Sequence, residues 1–395
     1  MTPPAASDLR ARRELGRRRL SSSGVTGVAG VTGPPNSGGD DAAADAAGAV
    51  ARVVGGHLAM QAQDLPGALW SVGVRTGATH AQVLAAWGAH AVTRSWPMRG
   101  TLHLVASRDL AWTCALLTTR PLVANRARCT QLGLGDDDLA RARREVVRAL
   151  EAPGHEGLRR STLFDVLAGC GVDPTGQRGY LLLARFCMEG LLCQGAPQGS
   201  EPTFALLEQW APQQWLPGRE EAMATVAQRF VRSHGPVTER DLARWTGQTL
   251  TFTREAVALA GDCLRVEASD GTPRLVHVDA PQPEAAGEVH LLPGFDEYLL
   301  GYQDRSAMLT PVQEALVVPG GNGIFLPTLV VGGVVAGTWG RRLTPSRVVV
   351  TVTPWHAPTA ATVRRTQRVA GAYGRFLERE VDLVWSAPEH RGAVP

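Results

Sequence analysis

The chain of 395 residues contains no lysine, and its 40 strongly basic side chains are all arginine. That absence excludes a Walker-type phosphate loop, a lysine Schiff base and a pyridoxal aldimine, and leaves the terminal amine as the one amine nucleophile. Cysteine is sparse. Cys114, Cys129, Cys170, Cys187, Cys193 and Cys263 are scattered, with no Cys-x-x-Cys pair and no zinc-finger spacing, so neither a disulfide framework nor a metal site is expected. No apolar run approaches the roughly 18 residues of a membrane span, and MTPPAASDLRARRELGRRRLSSS carries no hydrophobic segment behind its charges. Without a signal or a span, the expected compartment is the cytoplasm, with no membrane partner.

What is present is globular material: 44% hydrophobic and 19% charged residues, enough for about two to three domains with cores. A net charge of +3 is too mild by itself to argue for nucleic acid. Distribution says more. Arginines cluster at Arg10, Arg12, Arg13, Arg17, Arg18 and Arg19, at Arg141, Arg143, Arg144 and Arg148, at Arg159 and Arg160, and at Arg341, Arg342 and Arg347. For any one cluster a solvated face is the plainer reading. Several together favour a surface that tracks phosphate, whose oxygens suit arginine's planar fork.

Residues 22–48 (SSGVTGVAGVTGPPNSGGDDAAADAAG) are low in complexity and read as a flexible insertion between helices predicted over Leu9–Leu20 and Ala42–Val54. From about residue 120 one order of elements occurs twice. Helices are expected over 139–151, 161–169 and 178–192, followed by strand-like CQGAPQGSEPTFAL. The series restarts over 219–233, TERDLARWTG and LTFTREAVALAG, then strand-like DCLRVEASDGTPRLVHV. Thr238 with Asp241 forms a capping pair, and Gly247 sits in the turn between the second and third helices. Helix, helix, turn, helix and two-stranded wing is the order of a winged-helix domain, here in tandem, and DNA contact is favoured over a pure packing role. After residue 287, VHLLPGFDEYLLGY, NGIFLPTLVVGGVVAGTWGRRL and SRVVVTVTPW predict a small antiparallel sheet or barrel, covered by a helix near 358–380.

In GHLAMQAQDLPGAL, Gln61 and Gln63 alternate with Leu58, Met60 and Ala62. The period of two favours a short extended segment, in which both amides project from one face. Taken alone, the plainer account is a pair of buried amides satisfied by backbone partners.

HLAMQAQD, SWPMRGTLHLV, LLPGFDEYLLGYQDR and NGIFLPTLVVGGVVAGTW, in this order, resemble the AlkZ-type bacterial DNA glycosylases over nearly the whole chain. The resemblance implies an α+β fold of tandem winged-helix domains arranged as a C-shaped DNA channel, with a barrel-like β-rich C-terminal part. The units would span 8–118, split by the insertion at 22–48, then 119–216 and 217–286, with 287–395 forming the C-terminal part. The family's catalytic signature is Gln-x-Gln, or Gln-x-Asp in a sister branch. Gln61-Ala62-Gln63 matches the first, which the resemblance associates with bulky alkylated purines and with self-resistance beside pathways for DNA-alkylating natural products.

The chemistry is consistent from below. Most glycosidases protonate the leaving group with one carboxylic acid and assist the water or the cation with another. Glutamine can do neither by ionising, but guanine alkylated at N7 is already cationic and leaves neutral. Two amide oxygens could then orient a water beneath the anomeric carbon and lend partial negative charge to the cationic sugar. The expected enzyme is a monofunctional glycosylase, inert on ordinary guanine, with a rate nearly flat from about pH 6 to 9. A bound crosslink opposes extrusion of the base, so an open channel suits bulky or crosslinked adducts.

Other matching positions are candidates: Arg99 and His103 to contact phosphate or line the site, with Trp96, Met98 and Leu102 in the core. His103 reads equally as a satisfied interior histidine. Asp296 and Glu297 are candidates to stabilise the cationic sugar or base, although bracing an arginine or capping a turn is the plainer role; Arg341 and Arg342 are candidates to bind DNA. No cofactor, metal or obligate protein partner is implied, and a monomer acting on double-stranded DNA containing alkylated guanine is expected. The competing reading is a non-catalytic winged-helix DNA binder, either a regulator or a drug-sequestering protein. A protein-interaction scaffold would show no salt-dependent DNA binding.

Overall fold

The computed structural model describes residues 6–22, 39–152, 157–268 and 271–387. Two helices open the chain, α1 (Ala6–Ser22) and α2 (Gly39–Gly56). The second begins earlier than composition suggested, because the alanine-rich end of the low-complexity stretch is itself strongly helix-forming. Residues 39–48 of the expected insertion are therefore helix, and 23–38 lie outside the described residues.

Strand β1 (Met60–Gln61) follows, then α3 (Leu65–Thr76), α4 (His80–Gly88) and a hairpin of β2 (Val92–Met98) and β3 (Thr101–Ala106), giving a sheet in the order β1-β3-β2. Helices α5 (Leu110–Leu117) and α6 (Thr119–Gln131) lead to a second set of the same order. This comprises α7 (Asp136–Glu151), β4 (Leu158–Arg159), α8 (Arg160–Gly169), α9 (Arg178–Met188), β5 (Leu192–Cys193) and β6 (Thr203–Leu206), closed by the short α10 (Leu207–Trp210). The third set is α11 (Arg219–His234), α12 (Glu239–Thr246), α13 (Leu250–Ala260), β7 (Leu264–Glu267) and β8 (Arg274–His277). Here Thr238 and Asp241 close the capping box that starts α12, and Gly247 ends it at φ 71°, a left-handed conformation that suits glycine.

The C-terminal part contains β9 (Val289–Leu292), α14 (Glu297–Leu300), α15 (Pro311–Val317), β10 (Thr328–Val331), β11 (Val334–Leu343), β12 (Arg347–Pro354), α16 (Ala360–Phe376) and β13 (Glu380–Trp385). Its five strands form one sheet in the order β13-β12-β11-β10-β9, curled as a half-barrel. Two expectations are corrected. The sheet is not wholly antiparallel, because α16 acts as the crossover that returns β13 parallel to β12. The segment EYLL, grouped with the β-rich pieces, is helical because Asp296 caps it by accepting the Tyr298 N–H.

Burial divides into two clusters. Val54, Trp87, Phe230, Trp245, Leu291 and Trp339 belong to a core shared by the first and third units and the C-terminal sheet, which Cys193, Leu207 and Trp210 join from the end of the second unit. Val146, Leu163, Phe186 and Phe204 form a separate core in the second unit, to which Trp96 and Leu102 of the first hairpin contribute.

Candidate active site

Gln61 lies on the edge strand of its sheet, paired with His103 across β3. Extended pairing covers only Met60–Gln61, preceded by Leu58 at φ 66° and followed by the Ala62 N–H donating to the Leu102 carbonyl at 2.8 Å. The chain then turns: the Gln63 N–H donates to Gln61 Oε1 at 2.9 Å. The first amide oxygen thus closes a turn, leaving its NH2 and a second lone pair available. Gln61 is half-buried, whereas Gln63 is exposed and its amide bonds no other described residue.

The peptide between the glutamines is held from two sides. Arg94 donates through Nε and Nη2 to the Ala62 carbonyl at 3.0 and 2.7 Å, and through Nη1 to Gln194 at 3.2 Å. Burial lowers the Arg94 pKa to about 10, which leaves it cationic at neutral pH. From the other side, Glu297 Oε1 accepts the Gln61 N–H at 2.8 Å. Glu297 Oε2 accepts the Trp245 indole N–H at 2.9 Å and faces His234 Nε2 at 3.4 Å. Burial pushes this carboxyl up, but His234, the Gln61 N–H and the indole outweigh it and hold the pKa at about 2.

The neighbouring carboxylate has a different occupation. Asp296 meets Arg75 through two bonds of 2.8 Å, accepts the Ser71 hydroxyl at 2.6 Å and caps α14 through the Tyr298 N–H at 2.9 Å. Both members of the pair are buried, and although burial raises the Asp296 pKa, Arg75 lowers it further. Asp296 therefore braces an arginine and caps a turn. His57 lies in the same buried polar region, its ring 5.9 Å from His234, with its pKa lowered to about 4 chiefly by burial.

At the β2–β3 turn, Arg99 adopts φ 53° and its Nη2 lies 3.1 Å from His103 Nε2. His103 Nδ1 donates to the Thr101 carbonyl at 2.8 Å, so Nε2 is the acceptor for Arg99. Burial, then Arg99, lowers the His103 pKa to about 3, which makes it a neutral interior histidine behind Gln61. The Arg99 side chain packs on Gly247, where an added Cβ would stand 2.9 Å from Arg99 Cγ. The hairpin of the first unit thereby docks on the turn of the third. Trp96, Met98 and Leu102 are buried, as expected of core residues.

Arg341 and Arg342 lie on β11. The Arg341 guanidinium is 6.0 Å from the Tyr373 ring, and Tyr373 is close enough to Arg341 and Asp64 for both to act on its hydroxyl, which burial pushes up. Arg342 is exposed. Gln61, His103, Arg99 and Glu297 are therefore linked by contact, Asp296 pairs with Arg75 instead, and Arg341 lies by Tyr373. Sequence reasoning missed Arg94, His234 and Trp245. Only Trp245 lay near a signal, one residue before the end of the capped helix. Among the described residues, no group of three or more His, Cys, Asp or Glu side chains is placed to hold a metal ion, and no helix is long and apolar enough to cross a membrane.

Residues 54–376 match the family model described as DNA glycosylase AlkZ-like. A Streptomyces sahachiroi protein named interstrand DNA cross-link repair glycosylase is 25% identical over 297 residues, which cover 71% of this chain and 79% of that protein. The solved structure of Streptomyces sahachiroi DNA glycosylase AlkZ is 22% identical and matches with a TM-score of 0.71 over 94% of this chain and 99% of that one, so the fold is shared.

Proposed function

We propose, from the premise that the chain belongs to the AlkZ-like DNA glycosylase family, that it hydrolyses the N-glycosidic bond of bulky N7-alkylguanine in double-stranded DNA as a monofunctional, monomeric enzyme. The observation that carries this reading is that the carboxylate held against the motif has no proton to give. Glu297 is the carboxylate in contact with Gln61, and both its oxygens are buried and engaged. Such a site suits a leaving group that needs no proton, and an N7-alkylated guanine is one.

In this mechanism the exposed Gln63 amide orients a water, and Gln61, fixed through its turn to Gln63, presents its remaining polar groups to the sugar. Arg94 on the Ala62 carbonyl and Glu297 on the Gln61 N–H keep the motif from swinging away. As the bond from C1′ to N9 breaks, its electron pair leaves with the base, which becomes neutral. Water adds to C1′ and its proton goes to solvent. The absence of lysine favours base release without Schiff-base strand cleavage. Arg99 and His103 support the floor of the site, Asp296 braces it through Arg75, and Arg341 and Arg342 meet phosphates beside Gln63. We extend the substrate class to interstrand crosslinks because the relative's name carries that activity, and to self-resistance against an alkylating natural product through the Gln-x-Gln branch.

The test is base release from duplex DNA carrying one defined N7-alkylguanine, scored as abasic sites by alkaline cleavage. Wild type should release the base, and the Gln61→Ala/Gln63→Ala variant should fall by at least about a hundredfold. Release by wild type at only the spontaneous rate, from a small and a bulky adduct alike, would sink the proposal.

A further inference from the structure

Arginine is the only strong base in the chain, so the places where it goes unpaired are informative. Several cluster members are neutralised within the fold. On α7, Arg141 meets Asp138 at 2.5 Å, Arg143 meets Glu189 at 2.9 Å and Arg148 meets Glu145 at 3.7 Å. Arg347 pairs with Glu380 and Asp382, Arg17 with Glu14, and Arg18 with Glu267.

Helix α16 differs. Its sequence AATVRRTQRVAGAYGRF holds four arginines and no acidic residue. Arg364, Arg368 and Arg375 are exposed, and at 100° per residue they fall within about 40° of one another, opposite the buried Thr366, Ala370 and Tyr373. None of the three side chains makes an ion pair or hydrogen bond to another described residue, whereas half-buried Arg365 turns inward to the Gly287 carbonyl. Ala361, Arg364, Arg365 and Arg368 line an open recess of about 470 Å³. The stripe also has a direction. Trp70 of α3 packs on Tyr373 and Phe376 at 4.9 and 5.0 Å, and α3 begins directly after Asp64, beside Gln63. The Arg341 guanidinium is 6.0 Å from the Tyr373 ring. From that end the arginines lead away along about 16 Å of helix.

We propose that this face of α16 is a phosphate-binding track for duplex DNA flanking the lesion, an assignment that rests on the DNA-processing reading above. A duplex offers closely spaced negative charge along its axis, and bare guanidinium groups bind it by releasing counterions. The packing of α16 against α3, the helix that begins beside Gln63, favours DNA over an acidic protein surface. Arg141, Arg143 and Arg148 of α7, paired in place, are spectators.

The experiment measures affinity for a short undamaged duplex by fluorescence anisotropy across a KCl series. It compares wild type, Arg364→Gln/Arg368→Gln/Arg375→Gln, and the control Arg141→Gln/Arg143→Gln/Arg148→Gln. The α16 variant should flatten the slope of log affinity against log salt by about 2 to 3, at about 0.9 per phosphate lost, and the control by less than about 1. An unchanged slope for the α16 variant, or an equal change in both, overturns the track. Should the triple variant melt early, Arg368→Gln alone is read, with an expected change of about 1. Base release is scored separately. A chain that shows the slope change yet releases no base would sink the proposed reaction and leave the track standing.

Discussion

Most of the second winged-helix unit's buried residues form a core of their own, whereas the first and third units and the C-terminal sheet share one. The candidate active site follows that division. Gln61 receives its contacts from His103 in the first unit, and through Glu297 from Trp245 and His234 in the third. From the second unit, contact reaches the motif only at second hand, through Gln194 on Arg94. A site built from distant segments needs those segments welded together, and a common core does that; a buried polar network also holds its geometry only when every member is satisfied. The second unit, with less of that duty, keeps most of its core to itself and joins the rest through Trp96 and Leu102 on one side and Leu207 and Trp210 on the other.

Four measurements would break or sharpen this division. Arg75→Ala leaves Asp296 buried and uncompensated, and should cost about 3 to 5 kcal/mol of stability in urea unfolding, with base release falling in step. A cost below about 1 kcal/mol, the range of exposed pairs, would mean that the shared core does not depend on its ionic brace. Leu163→Ala should cost about 2 to 5 kcal/mol within the second core. Its effect should stay local, with amide exchange accelerating across α7–α9 and unchanged around β1 and β9–β12. Uniform acceleration would merge the two cores into one cooperative unit.

The third measurement concerns acid. His57, His103 and His290 have pKa values lowered by burial to about 4, 3 and 4, and all lie in the shared part. Between those values and about 6.5 the unfolded chain binds protons that the folded chain refuses, so stability rises with pH by up to about 1.4 kcal/mol per unit per histidine. Melting temperature should therefore climb from about pH 5 to 6.5 and level off above it, while the single-turnover rate stays flat from about pH 6 to 9. A bell-shaped rate would reveal an acid or base beyond the glutamines. The smallest effect is expected from Gln194→Ala, which removes one hydrogen bond to Arg94. About 0.5 to 1.5 kcal/mol and a rate loss below about tenfold are expected; a larger rate loss would place the second unit inside the site.

What was legible in the sequence was local. The capping box at Thr238 and Asp241, the left-handed Gly247 and the element order of the second and third units were readable because each signal lies within a few residues. EYLL was grouped with the strands because its apolar run has no period of its own, and only the Asp296 cap settles it. The β12–β13 pairing was hidden behind a helix that looked like a lid. For the site, the resemblance marked the segments holding Gln61, His103 and Glu297. Only folding brings Glu297 to a residue 236 positions away, and nothing near Arg94 announces its hold on the Ala62 carbonyl.

One arrangement at Gln61 matters outside the reaction. A two-residue strand at the margin of a sheet carries a peptide N–H that a strand from another molecule could claim, the usual seed of edge-to-edge aggregation. Glu297 occupies that N–H with a buried carboxylate, so the donor is already claimed from inside the molecule. The side chain that steadies the motif is also what ends the sheet there.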